Sequence, residues 1–216
     1  EKELAQHIRD NKEVIRNFFN KKEIERLKKR LYRNGEQKKV EEYLASKYGY
    51  TIRIPAGYQI AADDSAFFWI RKPGPFDLSI FITYKPYHSE EQLSDAGLIA
   101  FRDSITFVKI FEDPADPATY TRVDTTHNDT MFRTIDFNGH YARTMRGIWY
   151  SNTKTLGGAF TSMVVLDEKS GRLYLIDGFV IAPNKDKSAS LRELETIIST
   201  FKVVDREEAA QKQQAS

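Results

Sequence analysis

Residues 131–183 decide the fold: MFRTIDF (131–137), HYARTMRGIWY (140–150), AFTSMVVLDE (159–168) and RLYLIDGFVIAP (172–183) read as four consecutive strands. Asn138-Gly139, Asn152 with Gly157-Gly158, and Lys169-Ser170-Gly171 separate them. Runs rich in Val, Ile, Phe, Tyr and Thr, bounded by Gly, Asn and Asp, are the signal for hairpins. In the last run Leu173, Leu175, Asp177, Phe179 and Ile181 share one face, and Tyr174, Ile176, Gly178, Val180 and Ala182 share the other. AFTSMVVL behaves similarly, with Phe160, Val164 and Leu166 opposite Met163 and Val165. A strand apolar on both faces must be covered on both.

Two amphipathic stretches supply the cover. Ser89 with Gln92 makes a capping box, and Leu93, Ala96/Gly97, Ala100/Phe101, Ile105 and Val108 form a helical stripe over 89–111. Ser190 with Glu193 opens a last helix whose face is Leu191, Leu194, Ile198 and Phe201. The expected architecture is α+β: a mostly antiparallel sheet flanked by helices on both faces. Upstream, YTIRIP, FFWIRK and LSIFITYK read as further strands, Asp63-Asp64 as a turn, and 120–125 as a short strand.

Residues 1–33 are helical in period, with a restart expected at Asn20, whose partner is Glu23. A second helix spans 36–47, and Gly49 ends it. The expected division is an N-terminal helical segment (1–48), the sheet domain (49–204) and a disordered tail (205–216). The helical segment reads as the connector to a further domain.

Hydrophobic residues make up 40% and aromatic residues 12% of the 216, as in a packed domain, and the net charge is +2. Residues 1–47 hold 14 Lys/Arg against 9 Asp/Glu, an excess that a solvated helix face accounts for. No nucleic-acid partner is expected. The chain has no cysteine, so disulfides, thiolate metal sites and Cys nucleophiles are excluded. It lacks a nucleophile elbow, a Walker loop and a dinucleotide fingerprint. Gly157-Gly158 leads into a strand, which argues for a bulge or tight turn over a phosphate cradle.

The four histidines are scattered. Asp124, His127 and Asp129 are close enough in sequence to share a hard cation but lack the spacing of a known site, so no metal and no cofactor are expected. Mid-strand charges weigh more, because burying one is costly unless it is paired. Arg143 shares a face with Tyr141, Met145 and Trp149, whereas Arg146 shares one with Ala142, Thr144 and Ile148. One reading is an internal Arg–Asp pair with Asp177 that sets register. The other is a ligand pocket of Arg146, Trp149, Asp177 and Arg143. Phe67, Trp69, Tyr84 and Tyr87 are candidates for a partner-binding patch if they are exposed together.

The series IPAGY, LSIFITYKPY, FRDS, NGHYARTMRGIWY, LGGAF and DGFVIAP resembles a family of predicted lipoproteins from Bacteroidetes-type bacteria, catalogued as domain of unknown function 4837. The resemblance spans nearly all of residues 1–201 and corresponds to the C-terminal part of the family protein. The order of elements is similar, more distantly, to the PsbP-like α/β/α sandwich. The resemblance implies an exported protein of the cell envelope, in the periplasm or at the outer membrane, with a lipid anchor and a first domain upstream. It carries no catalytic residues with it. The expectation is a non-enzymatic binding or scaffolding module whose partner is an envelope protein or a small anionic or glycan ligand. The alternative is a hydrolase of an envelope glycan or ester using Asp177, Ser104 or His140.

Overall fold

The computed structural model describes residues 6–7, 9–126, 130–181 and 187–206, apart from the side chains of residues 13, 16, 17, 20 and 21. Four strands follow one another as expected: β6 (Met131–Phe137), β7 (His140–Ser151), β8 (Gly157–Asp167) and β9 (Arg172–Ile181). The first hairpin closes on Asn138 and Gly139, both at positive φ (55° and 83°), the conformation in which Asn and Gly are favoured. Before the meander come β1 (Tyr50–Thr51), β2 (Gln59–Asp64), β3 (Phe67–Lys72), β4 (Asp77–Pro86) and β5 (Thr121–Val123); β10 (Lys202–Val203) comes last. The large sheet is antiparallel in the order β2-β3-β4-β9-β8-β7. The far side of β7 is shared, with β6 along residues 140–146 and β5 along residues 149–151.

The α-helices are α1 (Lys12–Leu31), α2 (Lys38–Tyr48), α3 (Asp95–Lys109) and α4 (Ser188–Ile198). On one face α3 sets Leu98 and Phe101 against Phe81, Phe160, Leu175 and Phe179. On the other, α4 and α2 set Leu194, Ile197, Leu44 and Tyr48 against Ile80, Ile176 and Val180. The sheet is therefore the middle layer of an α/β/α sandwich, and its central strands are buried on both faces, as their apolar doublets require. Gly178 lets α4 approach closely: a Cβ there would stand 3.0 Å from Leu194 Cβ.

Several local expectations are corrected. YTIRIP does not join the large sheet; Tyr50–Thr51 pairs with β10. Tyr50, Ile52 and Ile54 do share a buried side, packed in the core between the helices and one face of the sheet. Alternation reveals which side is buried but not which strand is the partner. Asp63 and Asp64 end the edge strand β2 (QIAADD), whose mostly exposed residues carry no alternating signal. The Ser89–Gln92 box forms, but it closes a single 3-10 turn (Glu90–Leu93), and Ser94 caps α3 by accepting from Gly97 N at 3.0 Å. The stripe buried on α3 is Leu98, Phe101, Arg102 and Thr106. α4 starts at Ser188, and Glu193 accepts from Lys72 (2.7 Å) and Tyr58 (3.2 Å) instead of capping. α1 passes Asn20 without a break. Gly157 and Gly158 begin β8 in regular register with no bulge. Residues 1–5 and 8 of the first helical stretch, Ala182, Pro183 and the tail from residue 207 lie outside the described residues.

The two adjacent carboxylates point apart, one to each helical layer. Asp64 takes Lys109 of α3 at 2.6 Å. Asp63 ties β2 to α2, accepting from Tyr43 (2.5 Å), Lys47 (3.0 Å) and Tyr48. Partial burial pushes the Asp63 carboxyl up, but these three hydrogen bonds outweigh it and hold it below the usual carboxylate value. Its contribution to stability is therefore complete above about pH 4 and is lost as pH falls through the depressed value. Thermal melts from pH 7 to pH 2 should show Asp63→Asn less stable than the parent at pH 7, with the gap closing in acid. A constant gap would contradict this assignment.

A basic groove beside the open half of the sheet

Asp177 is fully buried, and its partner is neither Arg143 nor Arg146. Arg102, one turn into the buried stripe of α3, donates to it through Nε (2.8 Å) and Nη2 (3.4 Å), and Ser162 donates its hydroxyl. The Arg102 guanidinium also lies over the Phe160 ring at 4.2 Å. An internal Arg–Asp pair exists, but it joins helix to sheet instead of strand to strand. Arg102 had one visible signal, a charge inside an apolar helical stripe.

The proposed set of Arg146, Trp149, Asp177 and Arg143 is split between the two faces of the sheet. Trp149 is 1% exposed, packed edge-on against Phe179 on the α3 side. Arg143, on that same side, donates to Leu93 O (2.7 Å) and to Asp95 (2.5 Å), tying β7 to the start of α3. Arg146 lies on the α4 side, as strand alternation requires. The aromatic set is divided too. Phe67, Trp69 and Tyr87 belong to the α3-side core, whereas Tyr84 packs on Tyr174 in the other. The hydrolase candidates do not converge. Asp177 lies beneath α3, Ser104 donates to its own helix at Phe101 O (2.8 Å), and His140 Nδ1 sits 3.2 Å from Leu166 O at the hairpin.

Arg146 occupies a different site. α4 covers β4, β9 and β8 and leaves the same face of β7 and β6 largely open beyond the buried Ala142. Met131, Ile135 and Phe137 of β6, with Thr144 of β7 and Met163 of β8, floor a hollow of about 340 Å³ beside Ile198 and Ser199. Beyond Arg146 a wider hollow of about 1010 Å³ opens between α4 and residues 23–30 of α1. Arg146, Glu195 and Ser199 line both, so the two form one groove along the flank of α4.

Its charge is one-sided. Six basic side chains (Arg26, Lys28, Arg30, Arg133, Arg146 and Arg192) face two acidic ones, Glu23 and Glu195. That is an excess of +4 on a chain whose formal net charge is +2. Arg146 pairs with Glu195 at 3.4 Å and Arg192 with Glu23 at 2.6 Å. Arg26, Lys28, Arg30 and Arg133 have no ion-pair partner among the described residues. A concave surface lined by unpaired guanidinium groups over an apolar floor attracts anions and offers them bidentate contacts. Sequence reasoning found Arg146 but not the rest, which come from α1, β6 and α4. Among the described residues no three His, Cys, Asp or Glu side chains are placed to share a metal ion, and His127 and Asp129 lie outside them. No described helix is long and apolar enough to cross a membrane.

Fold and groove together define an α/β/α sandwich domain with an open, basic groove on one face. The chain belongs to the family described as Domain of unknown function (DUF4837), which matches residues 36–200. The match includes the sheet and α4 but not α1, so one wall of the groove lies outside it. No curated protein matches. Among solved structures, the Saccharomyces cerevisiae Ran-binding protein Mog1p is 11% identical, with 75% of this chain and 95% of that one covered and a TM-score of 0.48. A point mutant of protein Mog1 is 10% identical over 74% and 94%, also at 0.48. A Bacteroides thetaiotaomicron protein is 10% identical over 74% of this chain and 46% of its own, at 0.40.

Proposed function

We propose that this domain is a non-enzymatic binding module of the bacterial cell envelope, and that the groove around Arg146 takes an anionic ligand. The observation that carries the reading is the local excess of +4, with four of the cations without an ion-pair partner among the described residues and an apolar floor at one end of the groove. Like charges gathered along one groove repel one another, and a groove concentrates their field on an approaching counter-charge. The envelope location, a lipid anchor upstream and a Bacteroidetes source rest on the resemblance in RGIWY, LGGAF and DGFVIAP. Metabolic labelling of the full-length gene product with palmitate tests the anchor, and an unlabelled protein would contradict it.

The groove is tested by NMR titration with hexaglutamate and with an oligogalacturonide of equal charge. Saturable shifts should centre on Arg146 and Arg192 and extend to residues 26–30, weakening as salt rises. The double variant Arg26→Glu/Arg30→Glu should bind at least about ten-fold more weakly, equivalent to about 1.4 kcal/mol. Shifts absent with both probes, or unchanged in the double variant, would overturn the reading.

A further inference from the structure

The sheet has two margins, and they are built differently. At β2 the register with β3 shifts between Ile60 and Ala62, and Asp63 and Asp64 are tied down to neighbouring helices. Bulges and charges of this kind are how natural sheets block further pairing. At the other margin β6 runs in unbroken register with β7 from Met131–Arg146 to Phe137–His140. MFRTIDF contains no proline and no lysine, and among the described residues no strand pairs with its outer side.

The hairpin dictates which main-chain groups point outward. In a two-residue hairpin the closing pair, here Phe137 and His140, exchanges both hydrogen bonds. The odd-numbered residues of β6 therefore turn their N–H and C=O toward β7, and Phe132, Thr134 and Asp136 turn theirs outward. The parity is confirmed further along β7, where even-numbered positions face this margin: Asp124 N donates to Ile148 O at 2.8 Å and Asn152 N donates to Tyr120 O at 2.9 Å. Residues 132–136 thus present a ladder of outward donors and acceptors about 14 Å long, with no main-chain partner among the described residues. A strand added there would continue the floor of the groove and lie directly beside Arg133, which has no ion-pair partner among the described residues.

We propose that the outer edge of β6 is a strand-addition site for an extended peptide carrying carboxylates on alternate residues, one of them opposite Arg133. The proposal rests on the anion-binding reading of the groove and names its partner as a peptide. Main-chain hydrogen bonds to Phe132, Thr134 and Asp136 would supply affinity, and Arg133 would supply selectivity. A second copy of the chain fits less well. In an antiparallel two-fold pairing, residues opposite one another lie on the same face of the sheet. Arg133 and Asp136 lie on opposite faces, so no register sets one against the other; Arg133 would meet Met131, Ile135, Phe137 or itself.

The probe is a synthetic octapeptide alternating glutamate with threonine, compared with its glutamine counterpart by fluorescence anisotropy and hydrogen exchange. The glutamate peptide should bind at least about ten-fold tighter and should slow exchange at Phe132, Thr134 and Asp136. Thr134→Pro removes an outward N–H without touching the β6–β7 ladder, the one setting in which a strand tolerates proline. It should cost ten-fold or more in peptide affinity, whereas Thr134→Ala should bind as the parent does. Arg133→Glu should reverse the preference toward a lysine-containing peptide. Unprotected outward amides in the parent protein, which require no variant to fold, would overturn the proposal. So would a dimer, seen by sedimentation without peptide, that Thr134→Pro dissolves. Thr134→Pro should still bind the oligogalacturonide. A variant that keeps that binding and full peptide affinity would refute the edge alone, whereas loss of neither ligand in Arg26→Glu/Arg30→Glu would refute the groove.

Discussion

Asp177→Ala should lower the unfolding free energy by about 3–5 kcal/mol, the usual cost of leaving one member of a buried ion pair without its partner. Arg102 is 1% exposed and Asp177 is fully buried, so water cannot replace the lost carboxylate without opening the α3–sheet contact. The guanidinium already has one buried nitrogen, Nη1, without a hydrogen-bond partner. Removing Asp177 would strip its two bonded nitrogens as well, and would orphan the Ser162 hydroxyl. The loss should not equal the worth of the pair. The double replacement Arg102→Met/Asp177→Leu, which takes out both charges and keeps most of the volume, should recover the greater part of the stability. Urea denaturation of the two single variants and the double variant completes the cycle. A single variant losing less than about 1 kcal/mol would mean that the pair is solvated in solution.

Gly158→Ala should be comparably damaging, at about 3 kcal/mol, for a steric reason. A Cβ at position 158 would stand 1.9 Å from Val180 O and 3.0 Å from Trp149 Nε1. The first is main chain in β9, held by pairing to β4 on one side and β8 on the other, so it has little freedom to withdraw. The second belongs to a fully buried indole packed against Phe179. Gly74→Ala is the control. Its added methyl meets nothing nearer than Phe76 O at 3.7 Å, and it should change stability by less than about 0.5 kcal/mol. Equal melting temperatures for the two variants would refute the packing described for the start of β8.

Position 158 also illustrates how far local sequence goes. A glycine pair leading into a strand signals some backbone requirement, and a bulge is the ordinary inference. The actual requirement is the close approach of Trp149 and Val180, contributed by the two strands that flank β8. Asp177 behaves the same way. Its burial was readable from the apolar residues around it, and a paired charge followed from that burial. Its partner sits 75 residues away on α3, and no rule of spacing selects Arg102 over Arg143 or Arg146.

The sequence by itself determined the antiparallel meander of residues 131–181, the cover on both of its faces, and the face on which each mid-strand arginine lies. These follow from a period of two, from turn residues at fixed places and from the cost of exposing apolar surface, all of which act between near neighbours. Only the tertiary structure decided that residues 50–51 pair with β10, that Arg102 neutralises Asp177, and that α1, α4 and β6 bring their arginines to one groove around Arg146. Those outcomes depend on which distant segments meet. A segment's own periodicity specifies that it has a surface to bury, not the surface that buries it.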